Sequence, residues 1–286
     1  MKVLVTGANG QLGSELTRLL RDIGDDVWGC DKEDFDLTND VSVLEAVQGY
    51  RPDAIIHCAA YTAVDKAETE PEVCSKVNAF GTLNMVRAAL AVDAKLAYVS
   101  TDYVFGGQGD TPFEVNDPKK PLSVYGLSKL QGEEAVISQM TRYFVVRTSW
   151  VFGNGGNFVR TMRRLGAERA SLNVVDDQIG SPTYAHDLAV LLSRMIHIQR
   201  YGVYHATNEG FCSWADFAQE IMAVSGLRCR VRPVSTEAYG KSLAKRPANS
   251  RLSKASLDAA GFARLPRWED ALRRYIAQEE LRAAQV

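Results

Sequence analysis

The sequence has few features that would suit a disulfide framework, a structural zinc site or a membrane anchor. Its 286 residues include five cysteines, an odd number, and no two of them form a C-x-x-C pair. This usage disfavours disulfides and zinc, and it fits a reducing, cytoplasmic compartment. No apolar run is long enough to cross a bilayer. The glycines from Gly7 onward come too early for the apolar region of a signal peptide.

The chain also lacks a strong excess of either charge. Its 33 basic and 35 acidic residues leave a formal net charge of −2, which argues against a nucleic-acid-binding protein. Apolar residues make up 46% of the sequence and charged residues 24%, as in an ordinary soluble protein. The length allows one large or two smaller domains with a sizeable core. We therefore expect neither a nucleic acid nor a membrane as a partner.

Three glycines lie between a strand-like and a helix-like run at the start of the chain. Residues 3–5 form a short apolar run typical of a buried parallel strand, and Gly7, Gly10 and Gly13 follow it. Free backbone N–H groups and the helix dipole at such a turn point toward phosphate groups. The spacing is G-x-x-G-x-x-G rather than the G-x-G-x-x-G of the dinucleotide fingerprint. Taken alone, it also fits a plain strand-to-helix turn.

The next strand, at residues 26–30, ends at Asp31. An acidic residue about 20 positions after the glycines is placed to accept hydrogen bonds from the adenosine ribose hydroxyls. It would repel a 2′-phosphate and so favour NADH, whereas Lys32 beside it would offset that preference. A turn residue at a strand end is the structural alternative for Asp31. His57, inside the apolar third strand, is interpreted as a core histidine with satisfied hydrogen bonds.

Tyr125 and Lys129 stand four residues apart in a predicted helix and therefore share one face. An ammonium group beside a phenol favours the phenolate, which makes Tyr125 a candidate general acid for a carbonyl that becomes an alcohol. Thr101 follows the fourth predicted strand, and ligands of open α/β sheets bind at the carboxyl ends of strands. A Tyr-x-x-x-Lys pair by itself also occurs on solvated helix faces.

The glycine turn, Thr101 and the Tyr125–Lys129 pair together resemble the extended short-chain dehydrogenase/reductase family. More specific segments resemble the rhamnose-forming reductases within it: 62–68, 100–105, 125–129, 147–152, 177–183, 245–252 and 266–269. The alternation of strands and helices predicts an α/β fold with a doubly wound, Rossmann-like parallel sheet. We expect a dinucleotide-binding domain at 1–150, to which later elements return, and a smaller α/β substrate domain at 151–286.

The resemblance implies reduction of the C4 ketone of dTDP-4-dehydro-L-rhamnose to dTDP-L-rhamnose, with NADPH or NADH as cofactor. Tyr125 would protonate the alkoxide, Lys129 would lower the pKa of Tyr125 and bind the nicotinamide ribose, and the Thr101 hydroxyl would bond the carbonyl oxygen. A reductase or epimerase of another 4-keto-6-deoxy nucleotide sugar is an alternative. So is a non-catalytic subunit like the regulatory subunit of methionine adenosyltransferase.

The cofactor residues implied by the motif and the resemblance are Gly7, Gly10, Gln11, Leu12, Gly13, Asp31, Asp36, Leu37, Ala60, Tyr61, Thr62, Tyr125 and Lys129. The implied substrate residues are Val64, Thr101, Asp102, Tyr103, Tyr125, Trp150, Arg246 and Arg251. Trp150 could instead be core packing. Arg246 and Arg251 come from a basic segment, 228–251, which suits a pyrophosphate or is simply a solvated face.

Some members of the resembled family dimerise around magnesium held by glutamates at two places. Glu269 stands at one of these places, but His186 and Asp187 stand where a glutamate is expected at the other. A hard cation prefers oxygen ligands, so His186 weakens the magnesium hypothesis. Magnesium and that dimer stay open, and we expect a monomer or a homodimer.

Overall fold

The computed structural model describes residues 1–240 and 242–284, so Lys241 of the basic segment lies outside the described residues. The strands within these residues are β1 (Lys2–Thr6), β2 (Asp26–Cys30), β3 (Ala54–His57), β4 (Lys95–Thr101), β5 (Tyr143–Thr148), β6 (Val151–Phe152), β7 (Ser171–Val175), β8 (Ile179–Gly180), β9 (Thr183–Tyr184), β10 (Gly202–His205), β11 (Cys212–Ser213) and β12 (Arg230–Val234). The α-helices are α1 (Gln11–Asp22), α2 (Asp40–Tyr50), α3 (Val64–Ala67), α4 (Pro71–Ser75), α5 (Gly81–Ala91), α6 (Val124–Gln139), α7 (Phe158–Glu168), α8 (Ala185–Met195), α9 (Trp214–Val224), α10 (Thr236–Tyr239), α11 (Ala255–Ala259) and α12 (Trp268–Ala284).

Six strands form one parallel sheet in the order β2-β1-β3-β4-β5-β10. All four residues of β3 are buried, as expected for a strand covered by helices on both faces. The chain leaves β1 toward β2 on one side and returns through α2 to β3 on the other, so the strand order reverses between β1 and β3. Ligands of doubly wound sheets bind at such a switch point. The prediction of a Rossmann-like α/β sheet is confirmed.

Helices cover both faces of this sheet with separate apolar layers. Leu16 of α1 and Leu192 of α8 belong to one layer, and Val47 of α2 and Val136 of α6 belong to the other. These four side chains are fully buried, and burying a side chain of this size contributes roughly 1.5–3 kcal/mol each. Packing in these layers fixes the positions of α1 and α6 relative to the carboxyl ends of the strands. The candidate site lies at these strand ends.

Much of the later chain builds a third apolar core around Phe152, Phe217 and Tyr275. The parallel pair β7–β12 and the short pairs β6–β9 and β8–β11 surround it. Ser213 and Asp216 form a full capping box, which fixes the start of α9. Since β10 pairs with β5 and α8 packs on α1, the later chain also contributes to the first layer. The division at residue 150 stays a prediction.

A π-helical turn at Lys76–Phe80 separates α4 from α5. Asn78 within this turn accepts a hydrogen bond from the backbone N–H of Tyr61 (2.8 Å) and donates to its carbonyl oxygen (3.1 Å). It also donates to Ser128 Oγ at 2.9 Å. Such turns are rare, usually single-turn bulges inside α-helices, and are frequent at functional sites.

Two further observations concern compartment and membrane. All five cysteines are free, and four of them are buried. Among the described residues, no helix is both long enough and apolar enough to cross a bilayer.

Candidate active site

The carboxyl ends of the central strands open into one cleft of about 1000 Å³. It brings together nearly all of the residues that the sequence indicated: Gly7, Gly10, Gln11, Leu12, Gly13, Asp31, Asp36, Leu37, Ala60, Tyr61, Thr62, Val64, Thr101, Asp102, Tyr103, Tyr125, Lys129, Trp150 and Arg246. Arg251 and Glu269 are the exceptions. Residues distant in sequence therefore meet at the switch point of the sheet.

The glycine turn is packed too closely against the backbone to accept a side chain at Gly7 or Gly13. Gly7 has a φ of +67°, and a Cβ there would lie 2.9 Å from the Ala59 backbone. A Cβ on Gly13 would lie 2.1 Å from the Gly7 carbonyl oxygen. Gly10 precedes α1 and has no side chain to cap the first N–H groups of that helix. These N–H groups and the helix dipole make an anion site, which fits the diphosphate of a dinucleotide.

Three buried polar atoms of the cleft have no hydrogen-bond partner within the described part of the chain: Gln11 Oε1, Asp102 Oδ2 and Thr148 Oγ1. A buried polar atom left unpaired costs about 1–3 kcal/mol. Five further atoms of this kind in the described residues lie outside the cleft, and these three are the ones placed to pair with a molecule bound in it. Thr148 was not indicated by the sequence, although it ends β5 and pairs in register with Thr101 of the neighbouring strand.

Asp31 stands at the end of β2 and serves the glycine turn directly. Its Oδ2 accepts a hydrogen bond from the Asn9 N–H at 3.1 Å, and its Oδ1 accepts one from the Lys32 N–H at 2.9 Å. The Lys32 side chain is 85% exposed, with its Nζ 3.8 Å from Glu33. Asp31 therefore holds the turn in place as well as lining the cleft.

Tyr125 lies in the first turn of α6, where two caps fix the start of the helix. The Ser123 hydroxyl accepts from the Gly126 N–H (3.1 Å), and Glu68 Oε1 accepts from the Val124 N–H (2.9 Å). Thr101 lies at the end of β4, its hydroxyl donating to Asp102 Oδ1 at 3.0 Å. Burial raises the pKa of the Asp102 carboxyl to about 6.

Burial, rather than Lys129, has the largest effect on the pKa of Tyr125 in this structure, so the lowering by Lys129 stays a prediction. Burial raises the pKa of the Tyr125 phenol, and the Asp102 carboxylate adds to the rise, while the Thr101 hydroxyl opposes it. Lys129 is 2% exposed; its Nζ donates to the Val99 carbonyl oxygen at 2.8 Å and lies 4.0 Å from the centre of the Tyr98 ring. Burial lowers the pKa of Lys129 to about 7. The phenol thus keeps its proton, and the lysine is the group that titrates near neutrality.

Trp150 both packs and lines the cleft. Its ring stacks on Trp214 with centroids 3.7 Å apart, and its backbone φ of +50° is a strained value for a non-glycine residue. Gly180 permits this placement, since a Cβ there would lie 2.9 Å from the indole. The structure thus shows packing of Trp150 and its place in the cleft lining, and its role toward the sugar stays a prediction.

Of the two arginines proposed to bind a pyrophosphate, one lines the cleft and the other does not. Arg246 lines the cleft and donates from Nη1 to the Tyr103 hydroxyl at 3.1 Å. Arg251 is not among the residues that line the cleft; its Nη1 donates to Asn249 Oδ1 at 3.0 Å, two residues back. This local hydrogen bond turns Arg251 toward its own segment, which a count of basic residues did not reveal.

A protein-family model described as RmlD substrate binding domain matches residues 1–281. The spore coat polysaccharide biosynthesis protein SpsK of Bacillus subtilis is 41% identical over 278 residues, covering 97% of each chain. The dTDP-4-dehydrorhamnose reductase of Streptomyces griseus is also 41% identical, covering 94% of this chain and 91% of that relative. The chain belongs to the RmlD family.

One solved structure similar to this RmlD-family chain is a dTDP-4-dehydrorhamnose reductase from Bacillus anthracis in complex with NADP. It is 45% identical, with a TM-score of 0.94, and the match covers 97% of this chain and 99% of that one. The resemblance to the rhamnose-forming reductases, drawn from short segments, is thereby confirmed.

The residues considered for magnesium are engaged elsewhere. Glu269 pairs with Arg267 at 2.6 Å. His186, which stands where a glutamate was expected, lies 3.2 Å from Glu15, and its hydrogen bond lowers the pKa of Glu15 to about 2. Among the described residues, no three His, Cys, Asp or Glu side chains lie close enough together to hold a metal ion.

Trp214 is the cleft residue that sequence reasoning missed most completely. It is the first residue of α9, and it reaches the cleft only because α9 packs against the strands beside Trp150. No local pattern around Trp214 signals this role in an RmlD-family chain, since a single tryptophan at a helix start is ordinarily core packing.

Proposed function

We propose that this RmlD-family protein reduces the C4 ketone of dTDP-4-dehydro-L-rhamnose to dTDP-L-rhamnose. The observation that carries the proposal is that Thr101, Tyr125 and Lys129 share one cleft with a phosphate-binding glycine turn. Relatives about 41% identical over nearly the whole chain bear the name dTDP-4-dehydrorhamnose reductase. A cytoplasmic location fits the five free cysteines, since reducing compartments keep thiols reduced.

The reduced nicotinamide, when bound, supplies the hydride that adds to the sugar C4. The N–H groups at the start of α1 bind the cofactor diphosphate, and Asp31 accepts from the adenosine ribose hydroxyls. Lys129 donates to the nicotinamide ribose from its place beside Val99 at the floor of the cleft. Asp36 and Leu37 border the adenine.

Tyr125 acts as the general acid. Its buried phenol holds a proton at every pH near neutrality, and it gives that proton to the alkoxide formed at C4. The Thr101 hydroxyl has a single proton, which it donates to Asp102 in this structure. That hydroxyl must rotate from Asp102 toward the substrate oxygen in order to favour the developing charge there.

The proposed substrate residues bind two parts of the nucleotide sugar, its sugar ring and its diphosphate. Trp150, with Trp214 stacked on it, would lie against the sugar, together with Val64 and Tyr103, which also line the cleft. Arg246 is the cation suited to the diphosphate, because a planar guanidinium can donate two hydrogen bonds to one phosphate. Arg251 is not part of this proposal.

We propose that both NADPH and NADH serve as cofactor. Asp31 repels a 2′-phosphate, and the exposed Lys32 attracts it. Exposed charge pairs contribute only about 0–1 kcal/mol, so neither effect dominates.

The test is absorbance at the nicotinamide band with dTDP-4-dehydro-L-rhamnose, together with identification of the sugar product. A reductase consumes NADPH or NADH in proportion to product. An epimerase recycles bound NAD and leaves the absorbance unchanged, which would favour the first alternative. A protein that binds the cofactor but converts no nucleotide sugar would fit the non-catalytic alternative instead.

A further inference from the structure

The carboxylate of Asp65 fastens a distant segment of the chain to the edge of the cleft. Asp65 lies in α3, and its Oδ1 accepts hydrogen bonds from Ser242 Oγ (2.7 Å), the Leu243 N–H (3.1 Å) and the Ala244 N–H (3.1 Å). These donors follow Asp65 by 177 to 179 residues. A single carboxylate oxygen thus accepts hydrogen bonds from all three residues of the bend at 242–244.

The other oxygen of Asp65 holds the guanidinium of Arg246. Nη2 of Arg246 donates to Asp65 Oδ2 at 2.9 Å, Nη1 donates to the Tyr103 hydroxyl at 3.1 Å, and Nε donates to Ser242 Oγ at 3.0 Å. A guanidinium has five N–H bonds, so three are used and two remain, one on each terminal nitrogen. These three hydrogen bonds fix the plane of the guanidinium. Because Arg246 lines the cleft, its two remaining N–H groups are left for a ligand.

The residue that directly follows α3 contacts the start of α6, the helix that carries Tyr125. Glu68, three residues after Asp65, accepts from the Val124 N–H at the start of α6. The Tyr103 ring that receives Arg246 lies edge-on to the Tyr125 ring, with centroids 5.6 Å apart. Asp65 and Glu68 therefore tie Arg246 and the start of α6 to the same short segment of the chain.

We propose that Asp65 is a positioning residue that orients Arg246 to bind the diphosphate of the nucleotide sugar. The inference rests on the proposed function and names the device that presents the cation at a set distance from the reacting carbon. Asp65 itself touches neither the sugar nor the cofactor in this assignment.

Two effects of the Asp65 charge oppose each other. The carboxylate would repel a bound diphosphate, but it is 41% exposed, so solvent screens that repulsion. Burial raises the pKa of Asp65, yet the hydrogen bonds from Ser242 and Ala244 and the Arg246 charge outweigh burial and lower it. Asp65 is therefore ionised at neutral pH and accepts hydrogen bonds from four donors. Its orientation of Arg246 outweighs its own repulsion of the diphosphate.

Asp65→Asn tests this, because it keeps the shape of the side chain while removing the charge and one acceptor. We expect the KM for dTDP-4-dehydro-L-rhamnose to rise about tenfold, which corresponds to about 1.4 kcal/mol. The kcat should stay within about threefold, and the Kd of NADPH, measured by fluorescence titration, should not change. Asp65→Glu keeps the charge and should recover part of the loss.

Asp258→Asn is the matched control. Asp258 is comparably exposed (46%) and accepts from Arg264 Nε at 2.9 Å, but neither residue lines the cleft. We expect wild-type kinetics from this variant. A KM for Asp65→Asn that equals or falls below the wild-type value would overturn the inference.

A double-mutant cycle with Arg246→Gln separates positioning from a general structural effect. If Asp65 acts through Arg246, Asp65→Asn should change the KM far less in the Arg246→Gln background. An undiminished tenfold effect in that background would contradict the inference. Failure of the wild-type protein to oxidise the cofactor would instead contradict the proposed function, so the two failures are distinct.

Discussion

Glu133 and Arg147 form a bidentate ion pair that is almost completely buried. Nη2 of Arg147 lies 2.7 Å from Glu133 Oε2, Nε lies 2.8 Å from Oε1, and each side chain is 1% exposed. Ser100 Oγ also donates to Glu133 at 2.5 Å, and Arg147 Nη1 donates to the Val115 carbonyl oxygen at 2.9 Å. The pair joins α6, β4 and β5 directly behind the Thr101 end of β4.

Removing one partner of this pair should be strongly destabilising. Glu133→Gln leaves the Arg147 cation buried without a counter-charge, which typically costs 3–5 kcal/mol. The double variant Glu133→Gln/Arg147→Met should lose clearly less than the sum of the two single losses. Urea denaturation of the four proteins measures this coupling, and additive losses would show that the ion pair is not the source of stability.

Tyr125→Phe should lose most of the turnover and keep the affinity for the cofactor. Phenylalanine preserves the ring and its packing on Tyr103 but cannot donate a proton. General acid catalysis is typically worth about 10² to 10⁴ in rate. Single-turnover kinetics and NADPH titration check the two halves of the prediction, and near-normal turnover would assign the proton to another residue.

Lys129→Met should stabilise the protein at acid pH while abolishing activity. The pKa of Lys129 is about 7 in the folded protein and about 10.4 in an unfolded chain. Below pH 7 the folded state therefore carries a buried charge, which lowers the free energy of unfolding. This loss of stability declines as the pH rises from 7 to about 10.

The gain in unfolding free energy from Lys129→Met should thus be larger at pH 6.5 than at pH 9.5, by roughly 2–3 kcal/mol, since each pKa unit is worth about 1.4 kcal/mol. Denaturant titrations of both proteins at the two pH values give the difference. A difference that does not depend on pH would mean that Lys129 is not neutralised by burial.

Cofactor preference should respond to Asp31 and Lys32 in opposite directions. We expect the parent protein to use NADPH and NADH within about tenfold of each other in kcat/KM, a factor that corresponds to about 1.4 kcal/mol. Asp31→Ala should raise the relative use of NADPH. It should also weaken the binding of both cofactors, because the Asn9 N–H of the glycine turn loses its acceptor. Lys32→Ala should lower the relative use of NADPH.

The kcat/KM values of the three proteins with both cofactors decide this prediction. A parent preference beyond about a hundredfold would place the discrimination at other residues. So would an unchanged preference in both variants.

Parts of the site that follow from chain-local rules could be predicted from the sequence. Thr101 ends β4, and the carboxyl ends of parallel strands share one edge, so its place in the same cleft as the glycine turn follows from topology. His57 was interpreted as a core histidine, and its Nδ1 and Nε2 indeed lie within hydrogen-bond distance of the hydroxyls of Thr6 and Thr82. The capping box of Ser213 is equally local.

Other parts depend on tertiary contacts that no local pattern encodes. Trp214 meets Trp150 only through the packing of α9, and Asp65 meets Arg246 across most of the chain. The raised pKa of Tyr125 has a similar origin. Helical spacing places Lys129 on the correct face, but burial, which the spacing does not report, determines the pKa of both groups.

The most direct measurement of the central claim is transfer of a deuterium label. The protein should be incubated with dTDP-4-dehydro-L-rhamnose and NADPH that carries deuterium at both C4 positions of the nicotinamide. The account predicts one deuterium at sugar C4 of dTDP-L-rhamnose for each NADPH consumed, and none with Tyr125→Phe beyond its residual rate. Product without deuterium at C4, or product formed without net loss of NADPH, would contradict it.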